Sequence, residues 1–325
     1  MRYIRPLMQV GPARPDGTIV CGGCWFSHVE VLSRHAVPQV MSVAELTEAE
    51  RGPFLRVWAS PQIMGILNTT PDSFSDGGQH DTRNDAVMHG QALIEQGAEI
   101  LDIGGESTRP GAQIVPVAEE IRRTAPVIRD LRAAGVSIPI SIDTRKAAVA
   151  EAALDAGASV VNDVSGFTYD PDLSTLCAAR GVPVCVMHTQ GDPQTMQNNP
   201  TYDDVLLDVY DFLAERIEML QAVGIAKDNI IADPGIGFGK TLEHNLALLT
   251  RISLFHSLGV PILLGASRKR FIGTIGKAPE ASARAPGSVA VALAAIAQGV
   301  QIIRAHDVAD HAQAIALWRA SMAHH

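Results

Sequence analysis

Cysteine is scarce in this chain. The four present, Cys21, Cys24, Cys177 and Cys185, are too few and too scattered for the disulfide framework of a secreted protein. Long apolar runs are missing too. The most hydrophobic stretch, residues 288–303, is shorter than a membrane span and is interrupted by Gln298, Gly299 and Gln301. The first twenty residues carry arginines and prolines without the apolar segment of a signal peptide. Basic excess is also absent. The 26 lysines and arginines stand against 35 acidic residues, a net charge of −9. That excludes a general nucleic-acid binder, although an acidic protein can still hold a local basic pocket for a small anion. These absences describe a cytoplasmic chain that engages neither membrane nor nucleic acid. At 325 residues there is room for one large domain with an appendage, or for two modest domains.

What is present falls into two parts. Residues 1–60 contain Pro6, Pro12, Pro15 and Pro38 and a Gly22-Gly23 pair, with no clear alternation of strand and helix. Only residues 43–55 suggest a short helix there. From residue 61 to the end a rhythm sets in. Short apolar runs at 62–68, 99–102, 138–143, 160–163, 184–188, 230–233, 262–264 and 302–304 predict strands. Each is followed by an amphipathic stretch, at 83–96, 117–134, 145–156, 172–180, 203–223, 242–257, 288–298 and 309–321. Gly97, Gly135, Gly157, Gly181, Gly224, Gly259 and Gly299 stand where seven of these helices should stop. Continuous apolar strands alternating with helices imply a parallel sheet buried on both faces. Eight such units match the length of about 250 residues usual for a (β/α)8 TIM barrel. The expected architecture is therefore α/β, an eight-unit barrel with an N-terminal extension; an open doubly wound sheet is the alternative.

The two ends of each strand differ. Junctions entering strands are short and bland. Junctions leaving them are polar: 68–78, then Asp102 with 104–111, Asp143-Thr144-Arg145, Asn162-Asp163 and 187–191. Residues 233–240, 267–269 and 304–307 complete the series. A barrel gathers all of these on one rim, where such enzymes keep their catalytic groups. A single Asp at a strand end often only caps the next helix, and Asp143 fits that reading. Capping does not explain why carboxylates and carboxamides converge on one mouth while strands five, seven and eight contribute cations or polarisable groups. Arg109, Arg268, Lys269, Arg304 and His306 form a cationic quarter suited to a diphosphate. Asp143, Asn162 and Asp233 lie deeper and suit a nitrogen-rich heterocycle, with Met187 as a polarisable surface beside it. Two motifs are decoys. Residues 235–241 look like a phosphate loop, but the first Walker glycine would fall at Pro234. The lone Cys21-Gly-Gly-Cys24 is weak evidence for zinc, and a structural role is favoured.

Residues 63–78, 102–111, 233–240, 267–269 and 302–307 resemble the signatures of the dihydropteroate synthase family. The resemblance runs from residue 62 to about 320 and uses every strand end except that of the fifth, which is weaker. It implies that Asp143, Asn162, Asp233 and Lys269 bind a pterin ring, with Met187 beside it and Arg304 stacked on its face. It implies that Asn68, Arg304 and His306 hold pyrophosphate, Asn68 also meeting Mg²⁺. Phe74, Thr108, Arg109, Pro110, Phe238 and Ser267 would line a 4-aminobenzoate site. Asp143, Asp233, Lys269 and Arg304 would then be the catalytic groups, and the protein a homodimer. An aromatic amine is already nucleophilic near neutral pH, in keeping with the absence of an obvious Ser–His or Cys–His pair at the rim. The departures, Thr69-Thr70 and His188-Thr189-Gln190, are mild. A pterin-binding methyltransferase is the rival enzyme reading, opposed by residues 108–110 and 267–269. A non-catalytic pterin-binding paralogue is the rival binding reading; no rim position is lost to favour it.

Overall fold

The structure is a computed structural model that describes residues 2–55, 61–69, 79–107, 112–191, 196 and 199–322. Its first sixty residues correct the sequence reading, since they contain five strands: β1 (Tyr3–Pro6), β2 (Ile19–Cys21), β3 (Cys24–Phe26), β4 (His28–Ser33) and β5 (Ala36–Ser42). The prolines that argued against strands sit where strands tolerate them. Pro6 ends β1, and Pro38 lies on the edge strand of the antiparallel sheet β1-β4-β5. Gly22 and Gly23, both at positive φ, form the two-residue turn that pairs Cys21 with Cys24. Both thiols are buried, which pushes them up to about 12 and about 11, so neither is a thiolate near neutral pH. The single short helix expected at 43–55 is instead a 3-10 turn (Val43–Glu45), α1 (Glu48–Arg51) and a second 3-10 turn (Gly52–Leu55). Ser42 with Glu45 and Thr47 with Glu50 are two capping boxes, and each starts its own helix.

The barrel follows as β6 (Gln62–Asn68), α2 (Gln79–Glu95), β7 (Ile100–Gly104), α3 (Val117–Ala133), β8 (Ile140–Asp143) and α4 (Ala147–Ala156). Next come β9 (Val160–Asp163), α5 (Pro171–Arg180), β10 (Val184–Met187), α6 (Val205–Ala222), β11 (Ile230–Asp233) and α7 (Leu242–Thr250). The chain ends with β12 (Leu263–Leu264), α8 (Arg270–Ile275), α9 (Ala285–Ile296), β13 (Ile302–Ala305) and α10 (Val308–Met322). The eight strands pair in parallel in the order β11-β10-β9-β8-β7-β6-β13-β12. A parallel bridge from Ala232 to Ile262, with Ala232 N donating to Pro261 O at 2.9 Å, joins the two ends. The ring closes, and the open-sheet alternative falls. All seven helix-end glycines have positive φ. Two helices differ from expectation. The one read over 242–257 breaks at Arg251 into α7 and a 3-10 segment (Ile252–Leu258), and α8 is six residues long, too short to show a period.

Strand periodicity decides what the barrel encloses. Ile63, Leu67, Ile103, Ile140, Ile142, Val161, Val184, Val186, Ala232 and Ile303 pack outward in the large core against the helices. The other parity fills the interior, where Met64, Ile100, Cys185, Leu263 and Ile302 form a separate buried cluster with Ile231 against it. Stepping two residues at a time toward the strand ends gives Asn68 on β6, Asp102 on β7, Asp143 on β8 and Asn162 on β9. The same step gives Met187 on β10, Asp233 on β11 and Arg304 on β13.

The extension has its own small core, with Phe26 and Phe54 edge-to-face at 5.3 Å. It docks on the outside of the barrel. Tyr3 OH donates to Asp211 on α6 at 2.9 Å, and Arg34 pairs with Asp208 and Asp211 at 2.7 and 2.6 Å. Ser253 Oγ donates to Pro6 O, and Cys24 Sγ to Ile296 O. A side chain on Gly22 would overlap the backbone of Gly299. The contacts on residues 252–258 and 296–301 lie where strands begin, opposite the polar mouth.

Candidate active site

The floor of the mouth is an ion-pair cluster. Arg304 Nε lies 2.6 Å from Asp102 Oδ2, and Nη2 lies 2.9 Å from Asp143 Oδ2. Asn162 Nδ2 reaches the two Asp102 oxygens at 3.4 and 3.3 Å. The Asp102 side chain is fully buried and that of Asp143 nearly so. Burial raises Asp143, the neighbouring Asp102 raises it further, and Arg304 opposes both. For Arg304, burial works against the charge, but Asp102 and Asp143 outweigh it and hold the guanidinium protonated. Asp143 is therefore no helix cap: α4 begins at Lys146 as its N-cap with no side-chain cap, and Asp143 is committed to Arg304. Asp102 is the partner that sequence reading left without a role.

Across the mouth, Asp233 is buried beside Met187, its register partner on β10, and its Oδ1 accepts from Gly235 N at 2.7 Å. Burial raises this carboxyl, countered by that N–H and by Lys269 and Arg304. Lys269 Nζ donates to Ile236 O and stands 4.1 Å from the centre of the Phe238 ring. Burial lowers it to about 7, with Asp233 pulling the other way. Ser267 Oγ accepts from His306 N at 3.1 Å and lies 3.0 Å from its Nδ1, joining the exits of β12 and β13. Asn68 ends β6 opposite Gly104. Thus Asn68, Asp143, Asn162, Met187, Asp233, Phe238, Ser267, Lys269, Arg304 and His306 do share one mouth. Phe74, Thr108, Arg109 and Pro110 lie outside the described residues.

Two sequence assignments change. Arg268 is not a spare cation of the diphosphate quarter, because its Nε donates to Asp307 Oδ2 at 3.0 Å and it pairs again through Nη2. Asp163 has the outward parity and folds its own turn, accepting from Ser165 N, Ser165 Oγ and Phe167 N at 2.7–2.9 Å. A buried network behind the mouth was not foreseen. Lys146 Nζ lies 2.6 Å from both Glu106 and Glu120, and Arg145 also pairs with Glu106. No regular spacing links these residues, so only folding brings them together.

Among the described residues no helix is long and apolar enough to cross a membrane, and no group of three His, Cys, Asp or Glu is arranged to hold a metal.

Residues 64–306 match the family described as pterin binding enzyme. A dihydropteroate synthase of Synechocystis is 46% identical over 261 residues, covering 79% of this chain and 90% of that protein. A solved dihydropteroate synthase of Yersinia pestis, in complex with a sulfonamide drug, superposes with a TM-score of 0.75 at 46% identity, covering 80% of this chain and 94% of that one. The Xanthomonas albilineans dihydropteroate synthase with 4-aminobenzoic acid superposes with a TM-score of 0.77 at 41% identity, covering 95% and 99%. The last match leaves out far fewer residues than the first sixty, so it extends into the extension. The chain belongs to the dihydropteroate synthase family of pterin-binding enzymes.

Proposed function

We propose that this mouth condenses 6-hydroxymethyl-7,8-dihydropterin pyrophosphate with 4-aminobenzoate, giving 7,8-dihydropteroate and pyrophosphate. The observation that carries the reading is the inward ring of hydrogen-bonding groups: Asp143 sharing Arg304 with Asp102, Asn162 donating to Asp102, and Asp233 beside Lys269. Buried carboxylates and one carboxamide match the alternating donors and acceptors of an aminated bicyclic ring. Met187 packs against that ring and Arg304 lies on its face. The C–O bond between methylene and pyrophosphate breaks, and a C–N bond to the amine forms. The proton released from the amine passes to solvent. Asp143 and Asp233 stabilise the positive charge that develops on the pterin, while Arg304, His306 and Asn68 hold the departing anion. Ser267 and Phe238, with Phe74, Thr108, Arg109 and Pro110, line the amine site.

Mg²⁺ supplies charge neutralisation on the leaving group when bound. Asn68 offers it one hard oxygen, in keeping with an ion held mainly by the pyrophosphate and water. The working form in this proposal is a cytoplasmic homodimer. An apolar groove supports it, lined by Leu246, Leu249, Phe271, Ile272, Ile275 and Val291, with Ile275 more than half exposed. Sedimentation of a monomer at micromolar concentration would end that part of the reading. The reaction itself is tested by following pyrophosphate release from the pterin substrate with Mg²⁺, with and without 4-aminobenzoate. Release must depend on the amine; if it does not, the assignment fails.

A further inference from the structure

Lys240 is buried and takes no part in the reaction proposed above. Its Nζ lies 2.8 Å from His188 Nδ1, 2.9 Å from Gly235 O and 3.0 Å from Phe238 O. Both carbonyls can only accept, so two N–H donors are committed to the segment that leaves β11. The third contact ties that segment to the exit of β10. Burying an amino group this deeply strips it of its hydration, and a methionine would fill the same space. The group therefore needs a reason to be polar.

That reason is the shape of residues 235–239. Gly235 has φ +68°, and a side chain there would overlap His188 O, so the backbone threads tightly against β10. The turn is held from outside: Tyr202 OH donates to Gly239 O at 2.7 Å, Asn245 Oδ1 accepts from Gly237 N at 2.6 Å, and Lys240 spans its two ends. From this turn hang the Phe238 ring and the Ile236 carbonyl, the two groups that hold Lys269. We propose that Lys240, anchored on His188, is a positioning residue that sets Phe238 as the wall of the amine site and so controls affinity for 4-aminobenzoate more than for the pterin. The proposal rests on the reading of the mouth given above.

The test compares Lys240→Met and Lys240→Gln with the wild type and with Phe238→Ala. Misplacing the wall should raise KM for 4-aminobenzoate about 10-fold or more while the pterin KM moves less than about threefold. The double variant Lys240→Met/Phe238→Ala should be no worse than Phe238→Ala alone, since both act through one ring. Lys240→Gln keeps two donors and should restore part of the loss. Hydrogen exchange gives a readout apart from activity: the amides of Gly237 and Phe238 should lose protection in Lys240→Met while β6–β9 keep theirs. Equal rises in both KM values overturn the proposal, and so does unchanged exchange at 237–238. A wild type without amine-dependent release would instead overturn the reading of the reaction, leaving the exchange result to decide the positioning claim.

Discussion

Replacing Arg304 by Met tests the floor of the mouth as a thermodynamic object. The guanidinium sits 2.6 Å from Asp102 and 2.9 Å from Asp143, and both carboxylates are almost shut off from water. Without it, Asp102 retains only long bonds to Asn162, at 3.3 and 3.4 Å, and Asp143 faces a like charge with no counterion. Breaking a buried pair from one side costs about 3–5 kcal/mol. At about 2 °C per kcal/mol for a chain of this size, Tm should fall by roughly 6–10 °C. The deficit must depend on pH. Asp143 already lies above its unfolded value because of burial and Asp102, and losing Arg304 raises it further. A carboxyl raised in the folded state binds its proton more readily there than in the unfolded chain. The part of the deficit carried by Asp143 is therefore full above its pKa in the variant and disappears as pH falls below the wild-type value of about 8. Thermal melting of both proteins at pH 9.5 and pH 6 should show the larger gap at pH 9.5. Arg304→Met/Asp102→Asn should recover part of it by removing one of the stranded charges. A gap below about 1 kcal/mol, smaller than any buried pair should give, or equal gaps at the two pH values, would refute the reasoning. Ligand binding should respond as well: pyrophosphate affinity should drop more than that for 4-aminobenzoate, and the reverse order would move Arg304 out of the anion site.

Three further outcomes follow from other parts of the molecule. Asp233→Ala should lower kcat/KM by about 5- to 150-fold or more, because ring N–H donors left without their acceptor cost about 1–3 kcal/mol or more; near-normal kcat/KM would remove Asp233 from the pterin site. Lys269 is lowered to about 7 by burial, and a ligand that accepts from its ammonium favours the charged form. Pterin binding at pH 7.5 should therefore take up protons, read by calorimetry in buffers of differing ionisation enthalpy, and Lys269→Met should lose that uptake. Binding of the pterin with no proton linkage in the wild type would count against this placement of Lys269. Gly22→Ala forces a side chain into the backbone of Gly299 at a positive-φ turn. Overpacking of that kind costs about 1–3 kcal/mol, so melting should come earlier while both KM values hold; an unchanged Tm would show that the docking of the extension adds no stability.

The barrel was legible because its signal repeats: eight apolar runs, eight amphipathic stretches and seven glycines in register leave few other arrangements. The mouth was legible for a narrower reason. Strands buried on both faces, such as Ile63-Met64-Gly65-Ile66-Leu67, look alike from either side, so the sequence does not say which parity points inward. Only the polar residue at each end breaks that symmetry, and Asn68, Asp143, Asn162, Asp233 and Arg304 were found through it. Asn162 and Asp163 are adjacent and read alike, yet the first enters the mouth and the second folds its own turn. Asp102 carried the right parity but no visible partner, because Arg304 is 202 residues away and meets it only when β13 closes on β6. The same limit hid Lys146 with Glu106 and Lys240 with His188, and the docking of the extension on α6 and on the turn before β13; the hairpins β2-β3 and β4-β5 are local, and the Gly22-Gly23 pair was the visible signal of the first. A polar residue announces itself at a strand end by where it stands. Its charge partner is set by closure of the ring, so the residues that position a site are harder to read than those that form it.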